Sequence, residues 1–274
     1  NGMALTLCSV TGAICGLTDT SGREWASPEN PLGLYTYSLY TNSQMETFRQ
    51  EYCEGKCNPS EFGKPGMPLN KSIVASPERI AGVWANNGGN NPTEVLALAE
   101  LSPTLNQLYG APAAVWFRFT AASRPTSSTL NIEVTLVNKT STRFAEAAFI
   151  TFDPPATVEE SRAGWAMDKI GEWISPFDVI DGGSKGMHPV SQGVRFARTV
   201  PNSGTSVFFR TLDAAVVKFG PPLPFPTPVV GDPDLTQGAR YLLHDNFWTT
   251  NYVFWLPYGA TQTNLLYRFA IEIQ

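Results

Sequence analysis

Residues 129–137 read TLNIEVTLV, and their pattern decides the fold class. Every second residue from Leu130 to Leu136 is apolar and its neighbours are polar, which is typical of a β-strand with one buried face. Similar patterns recur in AAVWFRFTA (113–121), GVRFARTV (193–200) and NLLYRFAIEI (264–273). The sequence therefore predicts more than ten strands in one large all-β domain over residues 1–274, an antiparallel β-sandwich.

Between the strands, glycine and proline mark turns, and one or two short surface helices are expected. The clearest helix runs from Ser43 to Gly55, because Ser43 and Glu46 have the spacing of a capping box and Met45 and Phe48 share one face. After the turn at residues 138–142, RFAEAAFITF (143–152) is predicted to return as the hairpin partner of 129–137.

Charge and hydropathy exclude two classes of partner. The formal net charge is -5 and no Lys/Arg cluster occurs, whereas nucleic-acid binding needs a basic face. No apolar run approaches the ~20 residues that a membrane span requires. We therefore expect neither a nucleic-acid partner nor a membrane partner.

The four cysteines form two local pairs, Cys8 with Cys15 and Cys53 with Cys57. Three connectivities are open in principle. A two-residue turn at Thr11-Gly12 would place Cys8 opposite Cys15 across a hairpin, and the second pair is also close enough in sequence to meet locally. We predict both local disulfides.

Asn70 and Asn138 begin glycosylation sequons. Paired cysteines together with sequons predict a secreted or extracellular protein. The chain begins Asn1-Gly2 without an initiator methionine, so we expect a mature product or a fragment, the C-terminal part of a longer precursor.

Rare and ionisable residues concentrate in the stretch Trp165–Val194, WAMDKIGEWISPFDVIDGGSKGMHPVSQGV. Its hydrophobic periodicity is typical of neither an α-helix nor a β-strand, so we expect a well-ordered loop that crosses a sheet surface. Two interpretations stay open: a structural plug in which Asp168 and Asp178 cap turns, or a functional site.

Acid-base chemistry on a sugar needs two carboxyl groups roughly 5 to 10 Å apart. The candidate catalytic residues are Asp168, His188, Asp178 and Glu146. A second run of polar and aromatic residues begins at His244. Rings beside hydrogen-bonding groups suit sugars, whose C–H faces stack on aromatic side chains. The predicted carbohydrate-binding residues are Trp165, Asp168, Lys169, Trp173, His188, His244, Asp245 and Trp248.

No metal or other cofactor is predicted. The chain has two histidines, no His-Glu-x-x-His motif and no Cys-x-x-Cys, because Cys53 and Cys57 are four residues apart.

Several segments resemble one known family. TGAICGLTDTSGREWA (11–26) resembles the first hairpin of the β supersandwich that follows the catalytic barrel in family 38 glycoside hydrolases, and hairpins of mutarotase-like domains. The resemblance continues, in the same order as in an uncharacterised group of family 38-like proteins, through LGLYTYSLYT, FGKPGM, VNKTSTRFAEAAFITFDP, WAMDKIGEWISPFDVIDGG, TLDAAVV and HDNFWTTN. The resemblance covers nearly the whole chain and implies that the sandwich is a galactose mutarotase-like β supersandwich.

The resemblance implies a noncatalytic role. In family 38 enzymes the nucleophile and most zinc ligands belong to the α/β barrel. This sequence has no βαβ pattern that would form such a barrel. We expect a carbohydrate-associated domain of a secreted family 38-like hydrolase, with carbohydrate as ligand and a catalytic-barrel polypeptide from the same precursor as partner. Two alternatives stay open, an independent lectin-like protein and a sugar epimerase or polysaccharide lyase that uses the sandwich face.

Overall fold

The structure is a computed structural model, and it describes residues 3–52, 54–56, 69–86, 93–124, 127–180, 183–198, 205–223, 232–246 and 262–274. These residues form eighteen strands and three helices. The strands are β1 (Ala4–Leu7), β2 (Ile14–Thr18), β3 (Glu24–Ala26), β4 (Leu32–Leu39), β5 (Ile73–Ala75), β6 (Arg79–Ala85), β7 (Glu94–Glu100), β8 (Ala114–Arg124), β9 (Ser127–Val137), β10 (Glu146–Phe152), β11 (Trp165–Lys169), β12 (Glu172–Ile174), β13 (Met187–Pro189), β14 (Gly193–Ala197), β15 (Ser206–Thr211), β16 (Val216–Phe219), β17 (Ala239–Asp245) and β18 (Leu265–Ile273). The helices are α1 (Asn42–Tyr52), α2 (Pro103–Tyr109) and α3 (Val158–Gly164).

The strands build two antiparallel sheets. The first has the order β1-β2-β4-β10-β17-β16-β13, with β3 beside β2 and β5 beside β4. The second has the order β12-β11-β14-β15-β18-β9-β8-β7-β6. The predicted all-β sandwich is confirmed. Among the described residues, none of the helices is long and apolar enough to cross a membrane.

The core fills the space between the sheets, where the strands of both sheets place apolar side chains. In β9 these are the alternating residues from Leu130 to Leu136, all of them buried. Phe152 of the first sheet stacks on Phe209 of the second, with ring centroids 4.9 Å apart. The hydroxyl of Tyr241 accepts a hydrogen bond from the backbone N–H of Val194 at 3.0 Å, so this deep polar atom is satisfied.

The predicted hairpin between residues 129–137 and 143–152 is wrong. Strand β9 pairs with β8 and β18 in the second sheet, whereas β10 pairs with β4 and β17 in the first. The segment between β9 and β10 therefore crosses from one sheet to the other. Apolar alternation specifies which face of a strand is buried, but it does not specify the partner strand.

Helix α1 is confirmed, but its cap is not the predicted one. Thr41 and Gln44 form the reciprocal bonds, since the Gln44 N–H donates to Thr41 Oγ1 at 3.1 Å and the Thr41 N–H donates to Gln44 Oε1 at 2.9 Å. Met45 and Phe48 pack against the outer face of the first sheet. The other two helices were not predicted, although Thr157 and Glu160 form a capping box at the start of α3.

The disulfide Cys8–Cys15 is present, with Cα atoms 5.1 Å apart. The predicted two-residue turn is wrong, because Leu7 pairs with Ile14 and the Cys8 N–H donates to the Ala13 carbonyl at 2.7 Å. A longer loop therefore closes this hairpin. Cys53 and Cys57 lie outside the described residues.

Candidate functional site

The ionisable stretch after Trp165 begins with a β-hairpin instead of the predicted irregular loop. Strands β11 and β12 are joined at Ile170 and Gly171, whose φ angles are 59° and 91°. The Gly171 N–H donates to Asp168 Oδ1 at 2.7 Å, so the buried Asp168 carboxylate caps the turn. A two-residue turn of this kind usually has Asn-Gly or Asp-Gly at its two positions, and a β-branched residue such as Ile170 is unusual at positive φ. The local sequence therefore did not predict the turn.

Three of the predicted sugar-binding residues lie on the inner side of this region. The ring of Trp165 is buried against Phe196, at 5.0 Å between centroids. His188 is buried, its Nε2 lies 2.8 Å from the Lys185 carbonyl oxygen, and burial lowers its pKa. Lys169 donates to the Pro189 carbonyl oxygen, and burial lowers its pKa. The Trp165 and His188 rings are therefore buried, and Lys169 is partly buried with one recorded bond to the backbone.

Trp173 has the opposite orientation. It is 36% exposed on the outer face of the second sheet, where Asp168 is its cross-strand neighbour. The Arg195 guanidinium lies 4.6 Å from the centroid of a Trp173 ring, and Phe208 meets Trp173 edge to face at 5.3 Å. Arg210 in turn lies 4.7 Å from the Phe208 centroid. We call Trp173, Arg195, Phe208 and Arg210 the Trp173 cluster.

Glu146 belongs to a different place, the inner face of the first sheet at the end of the sandwich. Lys139 Nζ lies 2.8 Å from Glu146 Oε1, and both side chains are almost fully buried. The Tyr37 hydroxyl donates to Glu146 Oε2, and Lys139 also donates to the Thr140 carbonyl at 2.6 Å. Burial lowers the pKa of Lys139, while the Glu146 carboxylate opposes that shift.

His244 lies beside this ion pair. It pairs with Ala148 across from Tyr37, so the three residues form one row on the inner face. Its Nε2 is buried without a hydrogen-bond partner among the described residues. Burial and the nearby Lys139 charge lower the pKa of His244 to about 3. We call Tyr37, Lys139, Glu146 and His244 the Glu146 cluster.

Two of the remaining predicted site residues have exposed side chains and were not included in either cluster. Asp178 is exposed in the segment that follows β12, and Asp245 is exposed at the end of β17. Trp248 lies outside the described residues. The carboxyl candidates Asp168 and Glu146 therefore belong to different sheets, and each is bonded to neighbouring protein groups.

Sequence reasoning missed Lys139 as the partner of Glu146, and Arg195 and Phe208 as neighbours of Trp173. The alternation of GVRFA already places Arg195 on the side opposite Val194 and Phe196, but only the strand order brings Trp173 beside it. Nothing in the local pattern marks Lys139 as buried. Among the described residues, no group of three or more His, Cys, Asp or Glu side chains could hold a metal ion.

Comparisons with known proteins give a limited result. A family model described as a domain of unknown function (DUF5054) matches residues 1–129. No curated protein matches the chain.

Similar solved structures share about a tenth of their residues with this chain. One is a galactose mutarotase-like protein from Lactobacillus casei, with 10% identity, a TM-score of 0.45 and full coverage of both chains. Another is a galactose mutarotase related enzyme from Lactobacillus acidophilus, with 12% identity, a TM-score of 0.42 and coverage of 100% of this chain and 95% of that one. A putative aldose 1-epimerase from Escherichia coli K12 has 11% identity, a TM-score of 0.39 and coverage of 100% and 99%.

Proposed function

We propose that this chain is a noncatalytic carbohydrate-binding β-sandwich domain. The observation that carries the proposal is the Trp173 cluster, a partly exposed indole on the outer face of the second sheet with arginine side chains beside it. The C–H faces of a sugar ring pack on such an indole, and its hydroxyl groups find donors and acceptors at the rim.

Arg195 supplies the donors. Its guanidinium is held over Trp173, and no carboxylate pairs with it among the described residues, so its N–H groups are available to sugar oxygens. Arg210 is engaged differently, because Glu272 pairs with it at 2.8 Å and Gln192 accepts a bond from it. A sugar on Trp173 would thus meet one available guanidinium and one that is fixed by its own partners.

A noncatalytic role is supported by the use of the carboxyl groups. Acid-base chemistry at a glycosidic bond needs two of them on the same substrate. Asp168 accepts the turn N–H of Gly171, while Glu146 is buried in an ion pair with Lys139 on the other sheet. Each of these two carboxylates has a structural role that accounts for its position.

We further propose that the domain comes from a secreted protein resembling family 38 glycoside hydrolases. The disulfide Cys8–Cys15 and the exposed positions of Asn70 and Asn138 support secretion. A native mass measurement tests the wider context. A companion barrel polypeptide in the preparation would favour the hydrolase domain, and its absence would favour an independent lectin-like protein.

The binding proposal is tested by affinity electrophoresis of the purified chain in gels that contain α-mannan, xylan or β-glucan. We expect retardation by at least one of them and an affinity loss of about tenfold or more in Trp173→Ala, since removal of a central aromatic anchor commonly has such an effect. The matched control is Ile180→Ala, which removes an exposed apolar side chain from the same region of the chain.

Absence of retardation in every gel would refute carbohydrate binding. Equal binding by wild type and Trp173→Ala would refute the site. An assay against aryl α-mannosides with zinc supplied completes the test, because turnover that disappears in Asp168→Asn would overturn the noncatalytic interpretation.

A further inference from the structure

A second aromatic surface lies on the outer face of the second sheet, toward the edge opposite Trp173. Trp84 of β6 and Trp116 of β8 approach within 5.3 Å between ring centroids, with an angle of 39° between planes. Trp84 is 50% exposed, and Trp116 is half-buried. Two neighbouring indoles thus present a broad apolar surface to solvent.

Gly82 explains how Trp84 reaches its partner. Leu98 is the cross-strand neighbour of both Gly82 and Trp116, so these three positions form one row. A Cβ atom on Gly82 would collide with the ring of Trp84. The missing side chain therefore lets the indole lie over β6 and approach Trp116.

The face between the two aromatic surfaces carries small polar side chains. The register of β8, β9 and β18 places them on the outer side, where they alternate with the core residues. They are Thr120, Thr129, Asn131 and Thr135, all at least partly exposed. Hydroxyl and amide groups of this kind can donate to and accept from sugar hydroxyls.

The arginines on this strip are paired with carboxylates. Arg118 pairs with Glu94 and with Glu133, and Arg268 pairs with Asp213 at 2.8 Å. Each of these arginines has a carboxylate partner, and Arg118 has two, so the strip offers no unpaired cation to an anionic polymer. The chemistry suits a neutral ligand.

We propose that Trp84 and Trp116 form a second sugar-binding position, and that one extended neutral polysaccharide lies across the strands from there to the Trp173 cluster. This inference rests on the proposed carbohydrate binding and names its ligand class. Six strand intervals separate β12 from β8, which at about 4.8 Å each gives roughly 30 Å between the two positions. A short oligosaccharide occupies one position, whereas a long chain spans both and gains affinity from the high effective concentration of its second segment.

The test is calorimetric titration of the full chain with the most strongly retained polymer among α-mannan, xylan and β-glucan, and with short oligosaccharides prepared from that polymer. We expect two short oligosaccharides per chain, and at least about tenfold tighter binding of the polymer.

In Trp84→Ala the short oligosaccharides should bind once per chain, and the polymer should lose its advantage in affinity. Gly82→Val should act in the same direction, because it displaces the Trp84 ring and leaves Trp116 intact. Leu108→Ala, which removes an exposed apolar side chain from α2, is the control.

The two proposals fail in different ways. If Trp173→Ala abolishes binding while Trp84→Ala changes neither stoichiometry nor affinity, the second position is refuted and the first stands. If no polymer binds, both are refuted. Loss of a self-associated species by sedimentation in Trp84→Ala, with unchanged polysaccharide binding, would overturn the inference in favour of a protein interface.

Discussion

The Glu146 cluster and the Trp173 cluster use similar chemical groups in opposite ways. Each combines an aromatic ring with a cation close to it, Lys139 at 6.0 Å from the Tyr37 centroid and Arg195 at 4.6 Å from a Trp173 centroid. The first lies between the sheets and is nearly inaccessible, while the second lies on the outer face with an exposed ring. An aromatic ring with a cation beside it therefore stabilises the fold in one place and is open to a ligand in the other.

The two clusters differ in whether their charged groups are already bonded to other groups of the protein. Inside the sandwich the Lys139 ammonium is bonded to Glu146 and Thr140, because a buried charge must be compensated. On the outer face Arg195 is partly exposed and has no carboxylate partner among the described residues. We expect mutations in the Glu146 cluster to change stability and mutations in the Trp173 cluster to change binding.

The largest expected effect is that of Glu146→Gln. The substitution keeps the size of the side chain but leaves the Lys139 charge buried without the Glu146 carboxylate, and removing one partner of such a pair costs about 3 to 5 kcal/mol. We expect the free energy of unfolding in urea to fall by that amount, while polysaccharide affinity of the folded protein stays unchanged.

The double variant Lys139→Met with Glu146→Gln separates pairing from packing. If the loss comes from an uncompensated charge, the double variant should be more stable than Glu146→Gln alone. Glu133→Gln, at an exposed ion pair with Arg118, is the surface control and should cost less than about 1 kcal/mol. A loss below about 1 kcal/mol in Glu146→Gln would contradict the structural role of the pair.

The fold was predicted from the sequence more fully than the candidate sites were, and the two clusters show why. Alternation in β9 depends on local spacing alone, and so does the capping box of α1, which was predicted at Ser43 and Glu46 and lies two residues earlier, at Thr41 and Gln44. Whether Trp165 or Trp173 is exposed depends on the strand order, which local spacing does not encode. The Lys139 to Glu146 pair forms where the chain crosses between sheets, and a predicted hairpin concealed that crossing.

The next prediction concerns pH and again separates the two clusters. His244 has a folded pKa of about 3 and an ordinary pKa of 6.5, with burial as the main cause. Above pH 6.5 both folded and unfolded states hold the neutral ring. Between pH 6.5 and 3 the unfolded state takes up a proton that the folded state refuses, so stability falls as the pH falls.

The contribution of His244 to this loss should be about 1 to 2 kcal/mol between pH 7.5 and pH 5. We expect His244→Gln to lose less stability than wild type over this interval in urea titrations. Carboxylate contributions are shared by both proteins and cancel in the difference. Equal losses in the two proteins would show that His244 becomes protonated in the folded state.

The smallest expected effect belongs to Arg195, whose guanidinium lies over the Trp173 ring in the outer cluster. A cation over an exposed indole contributes about 0.5 to 1 kcal/mol, and the Arg195 side chain has no ion pair to lose among the described residues. Arg195→Gln should therefore lower the free energy of unfolding by no more than that amount.

If the Arg195 guanidinium also donates to a bound sugar, Arg195→Gln should weaken polysaccharide binding about two- to fivefold. Arg195→Lys should not restore the affinity, because an ammonium lacks the planar fork of donors. Full affinity in Arg195→Gln would mean that Trp173 binds sugar by stacking alone. A stability loss as large as that of Glu146→Gln would mean that the outer face is a structural surface like the inner one, and the contrast between the two clusters would disappear.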